Sequence, residues 1–401
     1  MSNAEEWYLW DKNYTMSLQA QWVNQLKKEL KTDSLSEFQS EIEGLSWDFS
    51  DNNKHLPNFD FSSKYNTPCV FFSYYNVVNE KHSNTEILKD LNQGIQGILI
   101  CWDNTPNFDV LFNGILFEYI QTRVIISTLE DLHQINQWIA KVKPANFTIE
   151  YSEHTSDTIQ LIDGFSMYAI GANAWQELAF VCNKLVTCIP NTPHNHGLTI
   201  ELGIGENFMI EAAKITAIQW LCEAILTKHK RTDLQINLRA KIGWRNKSNR
   251  EIHTNQIRQT SEALCALVAG VNQLCITPYD QMFNEGATEL SRRMAINIGH
   301  ILKEESHLDW FNGLSKGSFI TTHLVHQLCN LVWSQLALTE GFDDELKSQT
   351  KATIALRNQR ITDQIDQFIG INYLVNPSEP CELKRQEFGA FGLPYLFFET
   401  N

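Results

Sequence analysis

Residues 198–204 read Leu-Thr-Ile-Glu-Leu-Gly-Ile, a short apolar run that predicts a β-strand. After this run, apolar residues recur at every third or fourth position, which predicts a helix with one apolar face. They are Ile215, Ile218, Cys222 and Ile225. A strand followed by such a helix is the repeating unit of parallel sheets. This stretch therefore places the chain in the α/β class.

The same alternation continues through most of the chain. Eight β-rich runs can be recognised, at residues 69–74, 97–101, 123–127, 146–151, 159–165, 198–204, 234–242 and 273–277. Because helical stretches lie between or after them, the sheet should be parallel, and eight strands favour a closed (β/α)8 TIM-type barrel. An open, doubly wound parallel sheet is the alternative.

The rest of the chain flanks this predicted barrel. We assign residues 1–66 to an N-terminal extension or arm, 67–340 to the (β/α)8 barrel, and 341–401 to a short C-terminal helical tail. The end of the tail, residues 393–398, is strongly apolar, so we expect it to dock onto the barrel or onto a partner.

Composition excludes several classes of function. The 401 residues carry 32 Lys plus Arg against 47 Asp plus Glu, a net charge of -15, which disfavours nucleic acid and anionic membranes as partners. The nine cysteines include no Cys-x-x-Cys pair and nearly all lie in apolar runs, so they are interpreted as reduced core residues. No leader-like start and no apolar run of about 18 residues is found, so a cytoplasmic location is expected.

Candidate binding residues lie at or near the ends of the predicted strands, where functional groups of α/β barrels are found. They are Tyr74, Tyr75, Arg239, Lys241 and Tyr279. Aromatic and basic side chains together could hold the phosphates and thioester of an acyl-CoA. The alternative is that they only pack or solvate the barrel mouth.

The histidines do not predict a metal site. His194 and His196 lie in a proline-rich loop, and His323 and His326 lack an acidic third ligand nearby. We therefore expect no metal to be bound by this chain.

Several motifs occur in a fixed order. They are Trp-Arg-Asn-Lys at 244–247, Arg-Gln-Thr-Ser-Glu-Ala at 258–263, Pro-Tyr-Asp at 278–280, Ile-Leu-Lys-Glu-Glu-Ser-His-Leu at 301–308 and Ile-Gly-Ile-Asn-Tyr at 369–373. In this order and spacing, from about residue 22 to 373, the chain resembles the methylmalonyl-CoA mutase family. The first motif is similar to that of the small subunits of heterodimeric mutases.

The resemblance implies a barrel that works with adenosylcobalamin, and departures from the family pattern imply that this chain is not the catalyst. Catalytic subunits carry Gly-Tyr-His, whose Tyr and His face the reacting acyl group, where this chain has Gly164, Phe165 and Ser166. Phe165 lacks a hydroxyl, and Ser166 is too short to replace an imidazole donor. The Asp-x-His-x-x-Gly motif of cobalamin-binding domains is also missing, and about 28 residues after Tyr373 are too few for such a domain.

The sequence therefore predicts a non-catalytic small subunit without a cobalamin-binding domain. The chain should bind no cofactor itself, with adenosylcobalamin held by a larger catalytic subunit in a heterodimer; in isolation it could form a homodimer. The complex would convert methylmalonyl-CoA to succinyl-CoA.

Two alternatives stay open at this point. The chain could be a mutase barrel that works with a separate cobalamin-domain polypeptide. It could also be a regulatory barrel that binds an acyl-CoA through Arg239 and Lys241.

Overall fold

The computed structural model describes residues 24–25, 27–29, 31, 39–46, 68–152, 158–194, 196–283, 286–308, 318–337, 341–375 and 389–398. Most of the predicted N-terminal extension, residues 1–66, lies outside these ranges. The part that is described includes a small hairpin of β1 (Gln39–Ser40) and β2 (Leu45–Ser46).

The eight predicted strands are confirmed and form a closed, all-parallel barrel. Their bounds are β3 (Val70–Val77), β4 (Gly97–Trp102), β5 (Gln121–Ile126), β6 (Phe147–Tyr151), β7 (Ile159–Asp163), β8 (Gly197–Ile204), β9 (Gln235–Ile242) and β10 (Gln273–Cys275). The pairing of β10 with both β3 and β9 closes the sheet, so the open doubly wound alternative is wrong.

Helices surround the barrel. They are α1 (Glu80–Leu91), α2 (Phe108–Leu111), α3 (Leu129–Val142), α4 (Phe165–Ala169), α5 (Ala174–Cys188), α6 (Phe208–Lys228), α7 (Thr254–Ala269), α8 (Glu289–His300), α9 (Phe319–Leu336) and α10 (Phe342–Thr362). Capping boxes start two of them, with Thr128 and Asp131 before α3 and Asn173 and Gln176 before α5, because these side chains satisfy free N–H groups of the first turn.

The outer layer is thickest on one side of the barrel. The long helix α6 is buried over most of its circumference because α9 packs over both α5 and α6 as a second layer. A helix that is apolar all round needs such cover.

The connection between β6 and β7 departs from the regular alternation. Only seven residues separate these parallel strands, too few for the usual helical crossover. The register explains how this is possible: Ile159, the first residue of β7, pairs with Glu150 near the end of β6, so the chain has little distance to return.

Segments from both ends of the chain are fixed to the same side of this scaffold. Glu43 of the hairpin accepts a 2.6 Å hydrogen bond from the N–H of Ala174 and a 2.9 Å bond from Arg357 of α10. The C-terminal segment 389–398 runs across the end of α4, where the N–H of Leu396 donates to the carbonyl of Ala169 at 2.7 Å. The expectation that the apolar tail docks onto the barrel is confirmed by this contact.

Candidate functional site at the barrel mouth

The middle of the barrel is filled by a buried ionic network. Arg239 of β9 is fully buried and donates from Nε to Glu201 at 2.5 Å and from Nη2 to Glu150 at 2.7 Å. Arg123 of β5 donates to the same Glu150 carboxylate at 2.8 Å. Burial alone would raise the pKa of Glu150, but the two guanidinium groups hold it below its usual value, so Glu150 stays ionised.

Apolar side chains of β3, β4 and β10 fill the barrel interior beside this network. Phe72, Leu99 and Cys275 form a buried cluster, and the Phe72 ring lies 5.9 Å from the Arg123 guanidinium carbon. The barrel is therefore a packed core at this level, as in other barrels of this size.

Above the network, at the carboxyl ends of the strands, Lys241 lies in an aromatic cage. Its Nζ is 4.0 Å from the ring centre of Tyr74, 4.4 Å from that of Phe165 and 5.6 Å from that of Trp244. Glu201 lies 3.9 Å away and balances the charge. The ammonium group is thus held by cation–π contacts and an ion pair within the protein.

Phe165 and Ser166 both have structural partners at the mouth. Phe165 supplies one wall of the Lys241 cage, and Ser166 Oγ donates to the carbonyl of Asp163 at 2.9 Å. The N–H of Ser166 donates to Asp163 Oδ1 at 3.0 Å. The Ser166 hydroxyl is therefore hydrogen-bonded within the turn that joins β7 to α4.

Asp163 is the unusual carboxyl group of this region. The side chain is exposed on one side, but desolvation by the surrounding protein and the negative charge of Glu201 raise the pKa of Asp163 to about 6. The positive charge of Lys241 acts in the opposite direction. The carboxyl group therefore changes its charge closer to neutral pH than an ordinary aspartate does.

Tyr168 and the C-terminal segment cover the top of the barrel. A Cβ atom at Gly243 would lie 2.0 Å from the Tyr168 ring, so only glycine allows this close approach. Tyr395 of the C-terminal segment then lies against Phe165, with ring centres 6.3 Å apart, and stacks on Trp244 at 6.5 Å.

The structure brings only two of the five predicted binding residues to the mouth. Tyr74 and Lys241 lie there together, with the Tyr74 hydroxyl 2.8 Å from Cys101 Sγ. Arg239 is sealed in the barrel interior, and Tyr75 points to the other face of its strand, where it donates to Asp90 at 2.7 Å. Tyr279 is buried, with its ring 5.4 Å from that of His253.

The sequence interpretation missed the ionic network and the covering role of Tyr395. One signal for the network was available: Arg123, Glu150, Glu201 and Arg239 each interrupt an otherwise apolar or alternating strand. A charged residue at an inward strand position requires an opposite charge opposite it.

The predicted histidine assignments can be compared with the described residues. His194 Nδ1 lies 3.2 Å from Asp233, and the His326 ring packs edge-on against Trp220 at 5.2 Å. Within the ranges that the structure describes, no group of three His, Cys, Asp or Glu side chains is arranged to hold a metal ion. Across the same ranges, no helix is long and apolar enough to cross a membrane.

Fold and site together define a parallel α/β barrel whose mouth, at the carboxyl ends of the strands, is filled by the chain's own side chains. Residues 110–387 match the methylmalonyl-CoA mutase family, more than half of the chain, and the protein belongs to that family.

Curated relatives agree with this family. The chain is 27% identical over 194 residues to the methylmalonyl-CoA mutase small subunit of Porphyromonas gingivalis, which covers 45% of this chain and 31% of that one. It is 25% identical over 242 residues to the methylmalonyl-CoA mutase of Cereibacter sphaeroides, covering 55% and 34%. A methylmalonyl-CoA mutase homolog of Alkalihalophilus pseudofirmus is 37% identical over 81 residues, covering 20% and 54%. The matches span about a third of the first two relatives.

Proposed function

We propose that this chain is the non-catalytic small subunit of a heterodimeric, adenosylcobalamin-dependent methylmalonyl-CoA mutase. The complex would interconvert methylmalonyl-CoA and succinyl-CoA, and the chemistry would belong to the larger subunit. The observation that carries this proposal is the occupied barrel mouth, where Lys241 is caged by Tyr74, Phe165 and Trp244 beneath Tyr395.

The residues at the mouth support a non-catalytic role. Active sites of α/β barrels lie at this end, but Phe165 offers no hydrogen bond and Ser166 Oγ is engaged with the Asp163 carbonyl. Loss of one positioned donor commonly costs about 3 kcal/mol of transition-state stabilisation. A barrel without free hydrogen-bond donors at these two positions would contribute little to the rearrangement of an acyl group.

The same residues do not fit a cobalamin. A corrin ring is broad and would need an open face at the mouth, whereas Tyr395 stacks on Trp244 there and the segment is hydrogen-bonded to Ala169. We therefore place adenosylcobalamin in the partner subunit.

Both alternatives would need a barrel mouth that is open to a ligand or to a second polypeptide. A barrel that works with a separate cobalamin-domain polypeptide would need the 389–398 segment to leave, and a regulatory acyl-CoA site would need Arg239 to be accessible. Arg239 instead has no exposed surface. Together with the name of the Porphyromonas gingivalis relative, this favours a structural subunit. We place the complex in the cytoplasm.

The test is to purify the tagged chain from its source and identify what accompanies it. We expect a larger cobalamin-containing chain in near-equal amount, with mutase activity in the complex and none in the isolated chain. Mutase activity of the isolated chain with added adenosylcobalamin would contradict the proposal. The control is the double variant F165Y/S166H, which should also be inactive alone because the tail still covers the mouth.

A further inference from the structure

Two carboxyl groups lie side by side where the barrel mouth meets its C-terminal cover. Asp163 is the last residue of β7, and its register partner on the neighbouring strand β8 is Glu201. Like charges at opposite positions of neighbouring strands repel each other. Among the described residues, Glu201 forms ion pairs with Arg239 and Lys241, whereas Asp163 forms none. Asp163 is therefore the member of the pair that is less well compensated when both are ionised.

The charged groups that face Asp163 come from two neighbouring strands. Glu201 of β8 disfavours its ionised form, while Lys241 and, less strongly, Arg239 of β9 favour it. Helix α4, which follows Asp163, contributes the N–H of Ser166 and has no charged side chain. Desolvation and Glu201 together outweigh these favourable contacts, so the pKa of Asp163 is raised to about 6. The folded chain therefore retains a proton on Asp163 more readily than the unfolded chain does.

The turn after Asp163 is fixed to the strand that carries Glu201. The N–H of Gly164 donates to the carbonyl of Glu201 at 2.8 Å, and a Cβ atom at Gly164 would lie 2.8 Å from that oxygen. In the same turn, Asp163 Oδ1 accepts from the N–H of Ser166 at 3.0 Å. The Asp163 carboxylate therefore cannot withdraw from Glu201 unless the turn and the start of α4 move with it.

Helix α4 and its first turn also support the C-terminal segment, residues 389–398. The carbonyl of Ala169 accepts from the N–H of Leu396 at 2.7 Å. A Cβ atom at Gly389 would lie 2.4 Å from the carbonyl oxygen of Ser166, so the segment lies directly on the turn. A movement of the turn would therefore weaken the contacts of the segment.

Phe165 of α4 connects the same segment to Lys241. Its ring centre lies 4.4 Å from Lys241 Nζ and 6.3 Å from the ring centre of Tyr395. An ionised Asp163 attracts the ammonium group, and a shift of that group would weaken its cation–π contacts with Phe165 and Trp244. Ionisation of Asp163 thus acts on the cover both through the turn and through the aromatic cage.

We propose that Asp163 is a pH-sensitive latch on the C-terminal segment: the protonated side chain keeps the segment on α4, and ionisation beside Glu201 loosens it. The sign follows from linkage. The proton is bound more tightly when the turn lies against Glu201 than after the turn has moved away, so loss of the proton favours the loosened state. The latch consists of residues of this chain alone and does not depend on a larger subunit.

Hydrogen exchange in the full chain measures this loosening. The informative amides are those of Leu396 and Phe398, which donate to the carbonyls of Ala169 and Arg245. Rates are expressed as protection factors, so that the pH dependence of the chemical exchange step cancels. The rise in the pKa of Asp163 limits the change to about a hundredfold. Since the turn needs to move only partly, we expect wild-type protection to fall about tenfold from pH 5 to 7.5, with a midpoint near pH 6.

Matched variants assign the change to Asp163. D163N should keep high protection at both pH values, because the amide cannot ionise. D163S is a second variant whose hydroxyl can still accept from the N–H of Ser166, and it decides the question if D163N does not fold. D344N makes the same substitution as D163N at an exposed position in the first turn of α10 and should behave like the wild type.

Three results would overturn the inference. The first is wild-type protection of the Leu396 and Phe398 amides that stays constant from pH 5 to 7.5. The second is a fall of wild-type size in D163N or D163S, which would assign the effect to another group. The third is protection equal to that of the slowest amides of β8 and β9, because the segment would then open only when the whole chain unfolds.

Discussion

Lys241 illustrates how a single residue can be located near the barrel mouth from sequence while its contacts there cannot. A basic residue near a strand end predicts a ligand contact, but the side chain turns into Tyr74, Phe165 and Trp244. At the same scale, Arg239 is an internal counter-ion for Glu150 and Glu201. Basic side chains that the sequence offers as ligand contacts form ion pairs inside the barrel.

The raised pKa of Asp163 predicts a pH-dependent stability at the residue scale. The carboxyl group has a pKa of about 6 in the folded chain and an ordinary value of about 3.9 when unfolded, so folding favours the protonated form. The contribution of Asp163 to stability should therefore fall as pH rises from about 4 to 6. D163N removes this effect and should be more stable than wild type above pH 6, by about 1–2 kcal/mol after allowance for solvent screening.

Urea unfolding of both proteins from pH 4 to 8 measures this difference. The advantage of D163N should shrink toward pH 4, since the wild-type carboxyl is then protonated in the folded state and about half protonated in the unfolded state. A stability difference between the two proteins that is constant over this range would contradict the assignment.

The buried network makes a second prediction at the residue scale. R239M would leave Glu150 and Glu201 without their main counter-ion, and breaking a buried ion pair commonly costs about 3–5 kcal/mol. R239M/E150Q should recover part of this loss because one of the stranded charges is also removed. Chemical denaturation compares the variants, and an R239M chain as stable as wild type would show that the network is not buried as described.

At the scale of elements, the strand–helix alternation departs from regularity between β6 and β7 and again where the chain covers its own barrel mouth. The short α4 follows β7 directly and brings Tyr168 across Gly203 and Gly243. The C-terminal segment then adds Tyr395 and Leu396 above it. Two short elements from distant parts of the sequence thus occupy the end of the barrel where ligands enter.

The covering role of the C-terminal segment predicts an unequal effect of two tyrosine truncations. Y395A removes ring contacts with Phe165 and Trp244 and should destabilise the chain by about 1–2 kcal/mol. Y119A is the control, because Tyr119 is exposed and its loss should be nearly neutral. Equal stabilities of the two variants in urea would show that the segment does not cover the mouth in solution.

At the scale of the whole molecule, the barrel mouth is filled by the chain's own side chains, because Lys241 lies in its aromatic cage and Tyr395 stacks on Trp244. Segments from both ends of the chain pack against the same part of the barrel.

The filled mouth predicts that the isolated chain does not bind the substrates of the family. Calorimetry with methylmalonyl-CoA and succinyl-CoA should show no saturable heat at ligand concentrations up to about 1 mM, the weak end of ordinary affinities. The purified complex is the positive control. A Kd in the micromolar range for the isolated chain would instead support the regulatory acyl-CoA alternative.

The sequence by itself determined the barrel, because eight apolar runs separated by helical periodicity leave few other ways to bury both faces of a parallel sheet. Its ordered motifs also determined the family. The filled interior was decided only by tertiary structure, since it depends on which inward residues of β5, β6, β8 and β9 meet across the barrel. Arg123, Glu150, Glu201 and Arg239 are far apart in sequence, and only closure of the sheet brings them into one internal ionic network.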